Sequence, residues 1–75
     1  MRFRAEIHQV DTSLNIALQG ELRADDAREF KTQIDERLVA SPTTKHLVFD
    51  CSQLEFISSA GIGAVMNAYR LIRDR

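Results

Sequence analysis

The sequence is poor in the residues that would mark a secreted, linker-rich or cross-linked protein. Its 75 residues include a single cysteine, Cys51, which excludes a disulfide within the chain and favours a reducing compartment. One proline and three glycines are too few for a flexible linker or a low-complexity tract. Residues 1–6 lack the apolar core of a signal peptide. We therefore expect one domain, residues 1–75, that works in the cytoplasm.

The chain also lacks long apolar runs and a strong charge of either sign. No run approaches the ~20 residues that a membrane-spanning helix needs. The net charge of -1 gives no electrostatic attraction to nucleic acid or to an anionic membrane. A hydrophobic content of 44% with 28% charged residues is ordinary for a folded globular protein. We expect no nucleic-acid partner and no direct membrane contact.

Two strands and a helix are predicted in the N-terminal part of the chain. Apolar and polar residues alternate over residues 3–8 and again from residue 14 to Gly20, which indicates two half-buried strands. The turn formers at residues 10–13 should join them in a hairpin. Beyond a bridge at residues 21–23, a helix is predicted from its apolar stripe of Ala27, Phe30, Ile34 and Leu38.

The C-terminal part predicts a strand, a break, an apolar loop and a second helix. Residues 47–49 form a short apolar run typical of a buried strand, and the polar residues 50–53 should end it. Residues 54–57 are then expected to be an apolar loop. The second helix is predicted from apolar residues at spacings of three and four: Ile62, Val65, Met66, Tyr69 and Ile72.

These elements predict an α/β fold with the order β-β-α-β-α. The two strands separated by a helix should be parallel, the hairpin should add an antiparallel strand, and both helices should pack on one face. The strand at residues 47–49 would form an open apolar edge, and such edges pair with something. We therefore expect a truncated chain, a swapped element or a homodimer through this edge.

Two adjacent serines, Ser58 and Ser59, lie where the second helix begins. One hydroxyl there would satisfy an unpaired N–H of the first turn, which is the commonest role of serine before a helix. One cap is enough, so the other serine is available for different work. Gly61 and Gly63 remove side chains around the serines, so that a partner could approach closely. Ile57 is either an exposed anchor or a hydrophobic staple.

Catalytic and metal sites are not indicated. A catalytic triad needs a base beside the serine, and neither His8 nor His46 is placed there by the predicted elements. Two separate histidines and one cysteine have no metal-ligand spacing. Met66 and Tyr69 lie on the predicted helix stripe and are interpreted as core residues. We expect a protein that is not an enzyme and that holds no cofactor or metal.

The stretch LVFDCSQLEFISSAGIGAV resembles the STAS domain, the fold of bacterial anti-sigma factor antagonists. In that family a strand leads to an Asp-Ser-(Ser/Thr)-Gly-(Leu/Ile)-Gly motif at a helix start. Ser58 stands at the motif aspartate, and Ser59 stands at the serine that the family's kinase partner phosphorylates. Residues 18–22 resemble the family's hydrophobic-x-Gly-Glu-Leu turn, after which Arg23 replaces the usual aspartate. Family members continue with another strand and helix, which are missing here.

The resemblance implies an anti-sigma factor antagonist that binds an anti-sigma factor serine kinase of the GHKL type, with ATP and Mg²⁺ belonging to that partner. Ser59 would be the phosphorylation switch. The implied partner contacts are Glu21, Arg23, Ile57, Ser58, Gly61 and Ile62. The alternative is a STAS module of a transporter or lipid-transport complex that binds a protein without a phosphorylation switch, and Ala60 and Arg23 permit it.

Overall fold

Five elements follow one another in the computed structural model, which describes residues 1–75. In chain order they are β1 (Arg4–Val10), β2 (Ser13–Leu22), α1 (Ala24–Ala40), β3 (His46–Ile57) and α2 (Ser59–Arg73). The predicted β-β-α-β-α order and the α/β class are confirmed. None of the helices has the length and apolar character needed to cross a membrane.

The sheet is mixed and has the strand order β1-β2-β3. β1 and β2 form the predicted antiparallel hairpin, whose turn contains Asp11 with a φ of 54°. β2 and β3 are parallel, as the intervening helix requires. The carboxyl ends of β2 and β3 therefore lie at the same edge of the sheet, and both helices begin there. β3 pairs with β2 alone, so its other edge is unpaired.

The core lies between the helices and one face of the sheet. Alternate residues of β2 are buried on that face, because successive side chains of a strand point to opposite sides. They are Leu14, Ile16, Leu18 and Leu22. α1 contributes the four apolar residues of its predicted stripe, all buried: Ala27, Phe30, Ile34 and Leu38. The sequence thus predicts the residues that α1 contributes to the core.

The predicted break and loop after residue 49 are wrong, because β3 continues without interruption to Ile57. The polar residues 50–53 are absorbed by an irregularity in the pairing, where β2 advances from Ala17 to Gln19 while β3 advances from Asp50 to Gln53. An extra residue on one strand bends it and increases its twist without ending the pairing. β2 is also longer than predicted, since Glu21 and Leu22 belong to it.

The predicted apolar stripe of α2 is only half right. Val65 and Ile72 pack against the core, but the residues of α2 that are fully buried are small ones: Gly61, Ala64 and Ala68. Ile62, Met66 and Tyr69 are exposed by 51%, 46% and 52%, so the assignment of Met66 and Tyr69 to the core is wrong. α2 packs through its small side, which allows a close approach to α1 and to the sheet.

The end of α2 is tied to the end of α1 through Arg75. Its guanidinium donates hydrogen bonds to the carbonyl oxygens of Leu38 at 2.9 Å, Ser41 at 3.1 Å and Thr44 at 3.2 Å. These carbonyls lie at and just after the carboxyl end of α1, where helix carbonyls have no partner inside the helix. A charged donor with three acceptors thus holds the carboxyl ends of the two helices together.

Candidate functional site

The candidate site lies at the sheet edge where β2 and β3 end. The N–H of Ser58 donates to the carbonyl of Leu22 at 2.8 Å, which fixes the start of α2 beside the end of β2. Arg23 is the residue before α1 and Ser58 is the residue before α2, so the amino ends of both helices open at this edge. Both ends carry the partial positive charge of a helix amino terminus.

Ser58 is the cap of α2. Its Oγ accepts a hydrogen bond from the N–H of Gly61 at 3.1 Å, and its carbonyl accepts from the N–H of Ile62 at 3.0 Å. Its backbone is extended, with φ -79° and ψ 167°, as a capping residue requires. The interpretation of one serine as a cap is therefore confirmed, and the capping residue is Ser58.

Ser59 is the first residue of α2 and is exposed. Because Ser58 makes the capping bond, the hydroxyl of Ser59 is not needed to satisfy the first turn. An enzyme could reach this hydroxyl without opening the core. A negative group placed there would meet the amino end of α2, where the helix dipole favours it.

Gly61 has a packing role and does not belong to the exposed contact surface predicted for it. It is buried, and a Cβ at this position would lie 2.8 Å from Cγ of Leu22 and 2.9 Å from Cγ1 of Ile57. Only glycine allows α2 to approach the ends of both strands this closely. Ile57 is half-buried and packs against the core, so only part of its side chain is available to a partner.

Glu21 and Arg23 form a charged group at the same edge. Arg23 pairs with Glu21, and its guanidinium lies over the ring of Phe56, 5.7 Å from the centroid. Glu21 also accepts a hydrogen bond from the ammonium of Met1 at 2.9 Å, and the same ammonium lies 3.3 Å from Glu55. Hydrogen bonding to that ammonium, with the charge of Arg23, lowers the pKa of Glu21. Bonding to Glu21 and Glu55 raises the pKa of the ammonium.

An exposed apolar surface continues from the site along α2. Ile62, Met66 and Tyr69 lie on one side of the helix because they are separated by four and three residues. We call these three residues the α2 apolar face. The sequence pattern identified the residues but assigned two of them to the core. The signal that separates the two possibilities is the parallel series of small residues, Gly61, Ala64 and Ala68, which marks the buried side.

The histidines lie away from the serines. His46 begins β3 while Ser59 follows its end, and His8 is an exposed residue of β1. No group of three or more histidine, cysteine or acidic side chains is arranged to hold a metal ion. Cys51 is exposed and lies within β3, whereas the sequence pattern ended the strand before it. Neither histidine is therefore placed to act as a base toward Ser59.

A family model described as "Mlab, STAS domain" matches residues 5–75. The chain belongs to the STAS domain family. Among solved structures, this STAS domain is similar to the anti-sigma factor antagonist SpoIIAA in its unphosphorylated form, with a TM-score of 0.76 and 20% identity over 97% of this chain. It is also similar to an anti-sigma factor antagonist from Mycobacterium paratuberculosis, with a TM-score of 0.77 and 22% identity over 92% of this chain.

A third similar structure is the Bacillus cell fate determinant SpoIIAA in the phosphorylated form, with a TM-score of 0.74 and 20% identity over 97% of this chain. The STAS domain spans 64% of both SpoIIAA chains and 57% of the mycobacterial chain. These likenesses confirm the predicted STAS fold, with its mixed three-stranded sheet and two helices.

Proposed function

We propose that this STAS domain is an anti-sigma factor antagonist that works in the cytoplasm by binding an anti-sigma factor serine kinase. Binding uses the edge where β2 and β3 end, and phosphorylation of Ser59 abolishes it. The observation that carries the proposal is the division between the two serines. Ser58 caps α2, and Ser59 is left exposed at the first position of the helix. ATP and Mg²⁺ would come with the kinase.

The proposed contact surface surrounds Ser59. It consists of Glu21, Arg23 and Ser58, the exposed part of Ile57, and Ile62 at the near end of the α2 apolar face. A phosphoryl group adds a charge of about -1.5 to -2. The amino end of α2 favours that charge, so the fold is retained. A docked partner would have to bury the same charge beside Ile62 without water, which is costly.

The similarity to SpoIIAA supports this proposal at the level of the fold. Structures of that protein in unphosphorylated and phosphorylated forms both match this chain over 97% of its length. A fold that accommodates a phosphorylated and an unphosphorylated state is what a switch at Ser59 requires. No covalent chemistry is assigned to the STAS domain itself, and we infer that it acts by binding.

The proposal is tested with the kinase of the same organism. After incubation with that kinase and ATP, mass spectrometry should locate one phosphoryl group on Ser59. Ser59→Asp should bind the kinase at least tenfold more weakly than the wild type, because the partner would have to bury the added charge. A factor of ten corresponds to about 1.4 kcal/mol of binding free energy. Thr43→Asp is the matched control, because Thr43 is exposed beyond the carboxyl end of α1. Undiminished binding by Ser59→Asp, or an unmodified Ser59, would contradict the switch.

A second candidate function is favoured by the residues that replace acidic ones in the family motif. Ser58 stands where the motif has aspartate, and Arg23 stands where aspartate usually follows Gly-Glu-Leu. The loss of these acidic groups bears on recognition by a kinase. Together with Ala60, Arg23 permits a STAS module of a transporter or lipid-transport complex that binds its partner without phosphorylation. Purification of the tagged protein from its own cells separates the two functions. A soluble GHKL-type kinase supports the first, and a membrane transport complex supports the second.

We also propose that two copies can associate through β3. Its outer edge has no partner strand, and unpaired edges tend to recruit another strand. Val48 on this strand is 51% exposed. Sedimentation at micromolar concentration should detect a dimer, and Val48→Lys should weaken it because charged side chains blunt strand edges. A monomer at all concentrations would remove this proposal without affecting the switch.

A further inference from the structure

A groove runs between α1 and α2, beside the α2 apolar face. Its volume is about 490 Å³. The floor is made of small residues from both helices: Ala27, Ala60, Gly63 and Ala64. A Cβ built on Gly63 would meet nothing within 4 Å, so the groove is open above this residue. The groove begins beside Ala60, the residue that follows Ser59.

Three cationic side chains line the groove. Arg28 and Lys31 belong to α1, and Arg70 belongs to α2. Lys31 is held by Asp35, with 3.0 Å between Nζ and Oδ2, and the other oxygen of Asp35 accepts from Asn67 at 3.3 Å.

Unlike Lys31, Arg28 and Arg70 form no ion pair within the chain. The two guanidiniums are therefore free to bind an external anion. Arginine is well suited to this, since its planar group binds carboxylates through two parallel hydrogen bonds.

We propose that this groove binds an acidic, extended segment of a protein partner. The segment would lie along the small-residue floor, and its carboxylates would pair with Arg28 and Arg70. This surface does not include Ser59, although it begins beside it.

The spacing of the cations favours a segment with several carboxylates over a single compact anion. Both helices start at the same edge of the sheet, with Arg28 near the start of α1 and Arg70 near the end of α2. At about 1.5 Å per residue, the backbone positions of the two arginines are offset by ~10 Å along the helices. An extended chain rises about 3.3 Å per residue, so acidic side chains two to four positions apart can reach both.

The floor explains why an extended backbone would fit between the cations. Alanine and glycine side chains leave room for a main chain to approach both helices, whereas larger side chains would fill the gap. The floor residues have no polar side-chain atoms that a partner would leave unsatisfied. Affinity should therefore come mainly from charge pairing, which weakens as salt is added.

The test uses the whole chain and a labelled peptide of about eight residues with alternating glutamate and alanine, long enough to span the groove. Titration followed by NMR should shift the amide signals of Ala60, Gly63 and Asn67. The double variant Arg28→Gln/Arg70→Gln should lose about tenfold in affinity, because two exposed ion pairs are removed. Arg2→Gln/Arg73→Gln removes the same charge from outside the groove and should bind within about twofold of the wild type.

Gly63→Leu separates the groove from a general charge effect. A Cβ at this position enters open space, and leucine is a better helix former than glycine, so we expect the fold to be kept or slightly stabilised. Peptide binding should nevertheless fall at least as much as in the double arginine variant. Unchanged binding by Gly63→Leu would overturn the proposal.

Three further outcomes would also overturn it: no shift at millimolar peptide, an equal loss in both double arginine variants, or binding of phosphatidylglycerol vesicles in place of the peptide. A failure of the Ser59 experiment would leave all of these readouts unaffected.

Discussion

Replacement of Gly61 by alanine tests how closely α2 must approach the sheet. The added Cβ would lie 2.8 Å and 3.0 Å from Cγ and Cδ2 of Leu22, and 2.9 Å from Cγ1 of Ile57. Ordinary contacts between carbon atoms are about 3.5–4.0 Å long. Leu22 is fully buried and holds the end of β2, so it cannot simply turn into solvent. Either α2 or the strand ends must move apart.

The cost can be isolated by comparison with Gly63→Ala. Both substitutions gain up to about 1 kcal/mol from the better helix propensity of alanine, and this gain largely cancels between them. A Cβ at position 63 meets nothing within 4 Å. The difference is therefore the cost of overpacking at position 61, which is typically about 1–3 kcal/mol. We expect Gly63→Ala to be as stable as the wild type or more stable, and Gly61→Ala to be less stable than Gly63→Ala by that amount.

Urea unfolding followed by far-ultraviolet circular dichroism measures this difference. Equal slopes for the two variants would show that the same surface is exposed on unfolding, so that the midpoints can be compared directly. If Gly61→Ala were as stable as Gly63→Ala, the close packing of α2 on Leu22 and Ile57 would be refuted, and with it the packing role of Gly61.

Three other predictions follow from contacts of single residues. Ser58→Ala should destabilise the fold by about 1 kcal/mol through loss of the α2 cap. Ser59→Ala should change the free energy of unfolding by less than ~0.5 kcal/mol. A larger loss of stability in Ser59→Ala than in Ser58→Ala would reverse the roles of the two serines. Arg75→Ala should cost roughly 1–3 kcal/mol, because it leaves carbonyls at the end of α1 without their charged donor, and a neutral result in urea would argue against that tie. Because the pKa of Glu21 is lowered in the fold, its ionised form stabilises the domain at neutral pH, and that contribution is lost as the pH falls through the folded pKa. On acidification, Glu21→Gln should therefore lose less of its free energy of unfolding than the wild type, as measured by urea titration at each pH. An equal dependence on pH in both proteins would count against the pairing of Glu21 with Met1 and Arg23.

The first half of the fold could be predicted from the sequence because each local pattern has a single interpretation. The stripe of α1 has charged residues on its other sides, so only one face can be buried, and all four of its residues are. The hairpin is equally well determined, because both strands alternate and a short polar turn joins them. Here local preference and tertiary packing agree.

The second half was harder because its patterns have two interpretations. The polar residues from Asp50 to Gln53 are typical of a turn, yet pairing with β2 keeps them in the strand through a bulge. Asp50 accepts a hydrogen bond from the N–H of Ser52 at 2.9 Å, and this bond lowers the pKa of Asp50. The same side-chain contact is typical of turns. Sequence spacing alone cannot distinguish a bulge from a break.

α2 posed a similar problem, since apolar residues cover more than one side of it. Two stripes compete for the core, one of large residues that includes Met66 and one of small residues that includes Ala64. The large stripe would bury more apolar area, but Gly61 and Ala68 are the residues that let the helix lie against its neighbours. The large residues stay exposed as the α2 apolar face, which is consistent with the proposed contact surface.

The packing of Gly61 and the exposure of Ser59 are consequences of one arrangement. Gly61 packs closely on Leu22, and its N–H donates to the Oγ of Ser58 to complete the cap. With the cap complete, Ser59 turns out of the core at the first position of the helix. A substitution at Gly61 should therefore disturb both stability and partner binding. A substitution at Gly63 should change the surface and leave the packing intact, since a Cβ there meets nothing within 4 Å. The two glycines thus offer separate access to the fold and to the surface, although they lie two residues apart.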